Sequence, residues 1–301
     1  MQTRATLVVL NAPLSPARSA RALRPTLVAD VIMPVDGRLS AGRAALSAAA
    51  VTLGSGVLLL ILGLSQAGIF AVFLTASTLA APLTDWLDDN REAIWHRREN
   101  PWLANTRTVF GLLAIFFGMA FAFTALAAWL GEPDIHRGFG FATARIGPEE
   151  NLFQREFGPW FVLLKRNLVV LAVLLILALV FRTHGALLVL GWNAAAWSGV
   201  LVLLTIRVVP ATDSARFVAA VAAALGPHIV LEASAYVVAA LGAIFFSRGV
   251  ALYLPADRRF MQVLRAAAAL LMASVGLLVA AALVEHHWAG TALKRLGGEL
   301  S

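Results

Sequence analysis

The chain has 301 residues, of which 60% are hydrophobic and only 14% charged, and its mean hydropathy is +0.80. Soluble domains carry about 25% charged residues, so this composition excludes an ordinary soluble enzyme, a disordered chain and a fibrous repeat. It predicts an all-α, polytopic transmembrane bundle. The net charge of +7 comes from 24 Lys+Arg against 17 Asp+Glu. In a membrane protein such an excess reflects topology and contact with anionic head groups, and nucleic acid is not an expected partner. The absence of cysteine rules out disulfides, thiolate chemistry and Cys-based metal sites.

Residues 1–43 carry Pro13, Pro16, Pro25 and Pro34 among scattered arginines and predict a cytoplasmic arm without the layout of a signal peptide. Ala44 to Leu64 is apolar for long enough to span once at 1.5 Å per residue. Ser65-Gln66 break it, and Gly68 to Leu83 complete a hairpin, with Trp86 as an interfacial anchor. Residues 85–107 mix both signs of charge and belong in water. Val109 to Leu130 is a third span, followed by a polar loop over 131–160. Phe161 to Phe181 spans next, with Lys165, Arg166 and Asn167 near its start. Arg182-Thr183-His184-Gly185 predicts a tight turn into the span Ala186 to Ile206. Pro210 to Leu225 is short and stops at Gly226-Pro227, which predicts an interfacial or half-inserted helix. His228 to Phe246 and Val263 to Val284 are the last of seven spans, and 285–301 reads as a polar tail. With the N-terminus inside, most of the basic residues fall in inside loops, as the positive-inside rule favours.

An ionisable group within a span costs about 2.5–3.5 kcal/mol on insertion scales, so such groups are the first candidates for function. Glu232 lies four residues into a span. The spacing of four places His228, Glu232 and Tyr236 on one helical face. That stripe serves as a structural hydrogen-bond hub, or as a proton relay or solute contact. Asn193 is mid-span, flanked by Gly191 and Gly199, and suits helix-to-helix hydrogen bonding. Asn167 stands beside Lys165 and Arg166, whose charges can snorkel to head groups. His228 and Glu232 do not form the H-E-x-x-H zinc signature, and His286-His287 is an isolated pair at a span end. Glu149-Glu150 and Arg155 are similar to the E-E-x-x-x-R motif of intramembrane abortive-infection-type proteases, but four residues intervene instead of three. No nucleophile elbow or Walker A loop occurs. No catalytic constellation, metal site or cofactor is therefore expected.

Leu225-Gly-Pro-His228-Ile-Val-Leu-Glu232 resembles the P-H-G-x-x-E stretch that opens the penultimate span of the stage II sporulation protein M family. Phe161 to Asn167 and the Asn193…Gly199 span resemble two further stretches of that family, in the same order. The resemblance covers about residues 105–290, leaving 44–104 as an added N-terminal hairpin with its polar loop, and 291–301 as a tail. Ile229 and Ala194 stand where the family has glycine. The resemblance implies five core spans, a cytoplasmic N-terminus in a bacterial inner membrane, and a membrane scaffold that recruits envelope enzymes.

Two functions from different classes follow. The first is a non-catalytic scaffold or complex subunit in cell-envelope processes. The second is a permease, or the membrane subunit of one, with Glu232 and His228 in a polar pathway beside a Pro-broken helix. An intramembrane hydrolase is a third, weaker reading. The interior polar set is Asn167, Asn193, His228, Glu232 and Tyr236. Expected partners are the lipid bilayer and other envelope or membrane proteins, with self-association left open.

Overall fold

The computed structural model describes residues 41–144, 146–147, 159–207, 214–292 and 295. The described residues form eight α-helices and no strand: α1 (Ala41–Ile61), α2 (Ala67–Trp95), α3 (Pro101–Trp129), α4 (Glu132–Thr143), α5 (Trp160–Phe181), α6 (Thr183–Ile206), α7 (Ser214–Leu252) and α8 (Arg258–Val284). A π-helical turn, Glu285–Ala289, continues α8. All but α4 are long and apolar enough to cross a bilayer. The protein is a multi-pass, all-α membrane protein with seven spans.

The helices differ in how much they bury. In α6, 67% of the spanning window is buried, against 28% in α5 and α8, so α6 is the central helix and α5 and α8 are peripheral. The added hairpin is integrated with the rest, α1 packing on α3 and α2 on α6. In lipid the packing force is close contact and interhelical hydrogen bonding, because the tails are as apolar as the side chains. Small residues supply the closeness. A Cβ on Gly118 of α3 would overlap the Ala45 carbonyl oxygen of α1. One on Gly191 of α6 would sit 3.1 Å from Val72, and one on Gly199 3.0 Å from Phe139. Hydroxyls supply the glue: Thr124 donates to Ser198 at 3.0 Å, and Ser198 donates to the Ala120 carbonyl at 2.9 Å.

Several boundaries depart from the sequence expectation, each for a local reason. The span beginning at Gly68 does not end at Leu83. Its polar continuation stays helical to Trp95, because Leu87, Asn90 and Ala93 prolong the buried stripe of Leu79 and Leu83. The loop 131–160 contains α4, which starts with Pro133 and two first-turn acids, Glu132 and Asp134, a favourable N-terminal charge pattern. The predicted tight turn at Arg182 is present, with a positive φ of 53°. Gly185 is required beyond it, since a side chain there would overlap the Leu177 carbonyl.

The largest correction concerns 210–226. Instead of a separate helix ending at Gly226-Pro227, α7 runs unbroken through Pro227; residues 210–213 lie outside those described. Proline removes the amide that would bond the carbonyl four residues earlier. That carbonyl, Ala223 O, accepts from the Trp288 indole at 3.4 Å. The π turn thus meets the bond that Pro227 deletes. The expected polar tail is accordingly helical through the π turn, and the last apolar segment runs to Ala292.

Both ends of the bundle are tied. Gln66, in left-handed conformation, joins the α1–α2 loop to α4: its amide donates to the Arg137 carbonyl at 2.8 Å, and its Oε1 accepts from the Phe141 amide at 3.0 Å. Arg207 reaches Glu132 at 2.9 Å and the Gly147 carbonyl at 2.7 Å. At the opposite end Arg248 of α7 donates to Asp88 at 3.0 Å and to the Thr84 carbonyl at 3.3 Å. Near it, Glu99 accepts from Arg107 and Arg97. The Arg107 hydrogen bond holds the Glu99 carboxyl below its ordinary range. That contribution is present at neutral pH and is lost as pH falls through the lowered value. Being partly exposed, it is also screened by salt.

Two glycine variants test the packing account. Gly118→Ala should lower stability by about 1–3 kcal/mol, because the added methyl meets backbone. Gly54→Ala, which has nothing within 4 Å, should be neutral or slightly stabilising. Thermal denaturation of both proteins in detergent checks this, and equal melting temperatures would refute it.

Candidate functional site

The buried faces of α5, α6, α7 and α8 do not close completely on one another at one end of the bundle. On α5 the buried stripe is Leu163, Asn167, Leu171, Leu174 and Ala178, which turns Asn167 inward. Lys165 and Arg166 are exposed, as snorkelling requires. On α7 the four-residue spacing turns His228, Glu232 and Tyr236 toward α5 and α8, and all three are buried. On α8 the inner stripe Ser274, Leu278, Ala281 and Ala282 continues onto Glu285, the first residue of the π turn.

These side chains line an open-sided cleft of about 250 Å³. Its polar wall is Arg166, Asn167, His228, Glu232 and Glu285. Its apolar wall includes Leu163, Trp197, Val200, Leu201, Leu204, Leu225 and Ile229. Every contributing segment belongs to the same end of the bundle: the beginning of α5, the last part of α6, the first half of α7 and the close of α8. Along α7, Glu232 is sixteen residues from Arg248, or about 24 Å at 1.5 Å per residue. A hydrocarbon core is about 30 Å thick. Glu232 therefore falls within the apolar segment Ala219–Leu252, nearer the cleft's own end of the bundle.

Tyr236 lies one helical turn deeper than Glu232 on α7. Its hydroxyl donates to Glu232 Oε1 at 3.0 Å, and its ring is completely buried. Asn167, from α5, lines the same cleft. A buried carboxylate without such partners would be very costly. His228 is buried, lines the cleft, and its Nδ1 has no hydrogen-bond partner among the described residues. Beyond Tyr236 the bundle is dry: Ala239, Ala240, Leu174, Ala178 and Leu190 are fully buried.

Of the residues expected from sequence, Asn167, His228, Glu232 and Tyr236 come together. Asn193 does not join them. It is buried on α6, and its amide donates to the Val189 carbonyl of its own helix at 2.8 Å. Ile229, in a position where the resembled family has glycine, forms cleft wall. Ala194 packs in the core. His286 and His287 stack edge to face on the π turn, their centroids 4.7 Å apart. Glu149, Glu150 and Arg155 lie outside the described residues. Glu285 and Trp197 were missed as site residues. For Glu285 the signal was readable, since it falls in phase with the inner stripe of α8. Among the described residues no group of three His, Asp or Glu is placed to hold a metal ion. No family model matches this chain, and no curated protein or solved structure matches it.

The Tyr236–Glu232 bond can be tested by a double-mutant cycle. Tyr236→Phe should cost about 1–3 kcal/mol, as expected for a buried hydrogen bond to a charged or polarised acceptor. In a Glu232→Leu background the same change should cost much less. Additive losses would show that the two side chains do not interact.

Proposed function

We propose that this membrane protein binds a small polar solute at the Glu232 cleft and acts as a permease or as the membrane subunit of a transporter. The observation that carries this reading is the cleft itself. A carboxylate at bilayer depth, placed only to hold helices together, would be packed on all sides. Glu232 instead lines an open-sided space together with four other polar side chains. Polar groups within a membrane bundle that face a water-accessible cavity mark solute and ion pathways. The unbroken course of α7 through Pro227 means that the discontinuous-helix device of many transporters does not contribute.

A scaffold in cell-envelope complexes is the second reading, in line with the resemblance to the stage II sporulation protein M family. What favours it is the dry layer beneath Tyr236, which closes the cleft toward the far face. Under the first reading that layer must open during turnover. Under the second it stays shut, and the cleft receives a group presented from one side. In either case we place the protein in a bacterial inner membrane with a cytoplasmic N-terminus, a placement supported by the distribution of basic residues among the loops.

Proteoliposome uptake separates the readings. Wild-type protein should take up at least one member of a panel of radiolabelled amino acids, amines and organic acids. Glu232→Gln should reduce that uptake at least tenfold without lowering the melting temperature. If the wild type moves nothing in the panel, yet co-purifies with envelope enzymes, the permease reading fails and the scaffold stands.

A further inference from the structure

We infer that the Glu232 cleft recognises a zwitterion, with an ammonium group held by Glu232 and an oxyanion attached to it held by Arg166. This rests on the reading of the cleft as a ligand site and names the chemistry of what it takes.

The cleft is lined by one guanidinium, that of Arg166, and by the carboxyl groups of Glu232 and Glu285. Arg166 lines the mouth and is exposed. Arg166 and Glu232 are not among the ion pairs closed within 4 Å in the described residues. A basic and an acidic side chain held apart across one cleft are complementary to a ligand whose own charges run the other way. A simple anion at the guanidinium would leave the Glu232 carboxyl group unmatched. A simple cation at Glu232 would leave the guanidinium unmatched. A guanidinium is also the side chain best shaped for a carboxylate or phosphate.

Inside the mouth, Glu232 Oε1 is engaged by Tyr236, which fixes the carboxylate so that it presents its remaining acceptor capacity to the cleft. His228, one helical turn nearer the mouth, adds a second polar side chain to the same wall. Trp197 and the leucines opposite suit the short carbon chain between the ligand's charges and add an aromatic face to the cationic end. The space, about 250 Å³, falls below the usual range for drug-sized ligands and fits a group the size of phosphoethanolamine or a small amino acid. Such a group can arrive free in water or as a phospholipid head group.

Isothermal titration of the full chain in detergent tests the chemistry with three probes: O-phosphoethanolamine, ethanolamine and inorganic phosphate. The zwitterion should bind at least tenfold more tightly than either half. Arg166→Gln, an exposed change that leaves packing intact, should weaken it at least tenfold. Glu232→Gln should abolish the preference over phosphate. A second arm compares melting temperatures in nanodiscs of phosphatidylethanolamine and phosphatidylcholine. Binding of the free probe identifies a soluble zwitterion. Stabilisation by phosphatidylethanolamine alone, lost in Arg166→Gln, identifies a head group. Both results support the inference. It is overturned if phosphate or ethanolamine binds as tightly as the zwitterion, or if neither arm responds. The uptake of other solutes by proteoliposomes would be untouched by that failure, so the transport reading is judged separately.

Discussion

A carboxyl group inside a bilayer is the constraint on which the rest of this molecule turns. Glu232 cannot face lipid at acceptable cost, so the helices around it must provide polar company or a path to water. They provide both. Tyr236 donates to it from one turn deeper, Asn167 of α5 lines the same cleft, and the cleft opens on its other side. Satisfying one buried carboxyl group therefore fixes the relative rotation of α5, α7 and α8 at this end of the bundle.

The same end carries the structure's most specific backbone repair. Pro227 removes a helical hydrogen bond one residue before His228, and the Trp288 indole takes up the carbonyl left behind. That contact holds the π turn against α7 and thereby sets Glu285 at the cleft. Insertions of one residue into a helix are frequent at functional sites because they redirect side chains at small cost. Away from the cleft the bundle follows simpler rules. Glycine, alanine, serine and threonine bring backbones together around α6, and arginine–carboxylate pairs tie the ends.

Much of this was legible in the chain. The seven spans followed from runs of apolar residues, and the break at Ser65-Gln66 and the turn at Arg182 from their polar residues. The face shared by His228, Glu232 and Tyr236 followed from a spacing of four. Helices that continue beyond the apolar run were not legible, because Leu87 and Ala93 of α2 are buried by tertiary neighbours and not by hydropathy. The unbroken course of α7 was hidden for a related reason: proline stops a helix unless another group takes the orphaned carbonyl, and Trp288 is sixty-one residues away in sequence. Asn193 looked equivalent to Asn167 in type and setting. Only the rotation of α6 shows that one bonds its own helix while the other faces the cleft.

Because the chain contains no cysteine, a single introduced thiol reports accessibility without background. Glu232→Cys and Ala240→Cys, in separate proteins reconstituted into sealed vesicles, should be challenged with a membrane-impermeant maleimide from each side in turn. Reaction of position 232 from one side only, with position 240 inert from both, is the result predicted for a one-sided polar cleft. An inert thiol at 232, or equal labelling of both positions, would contradict the account.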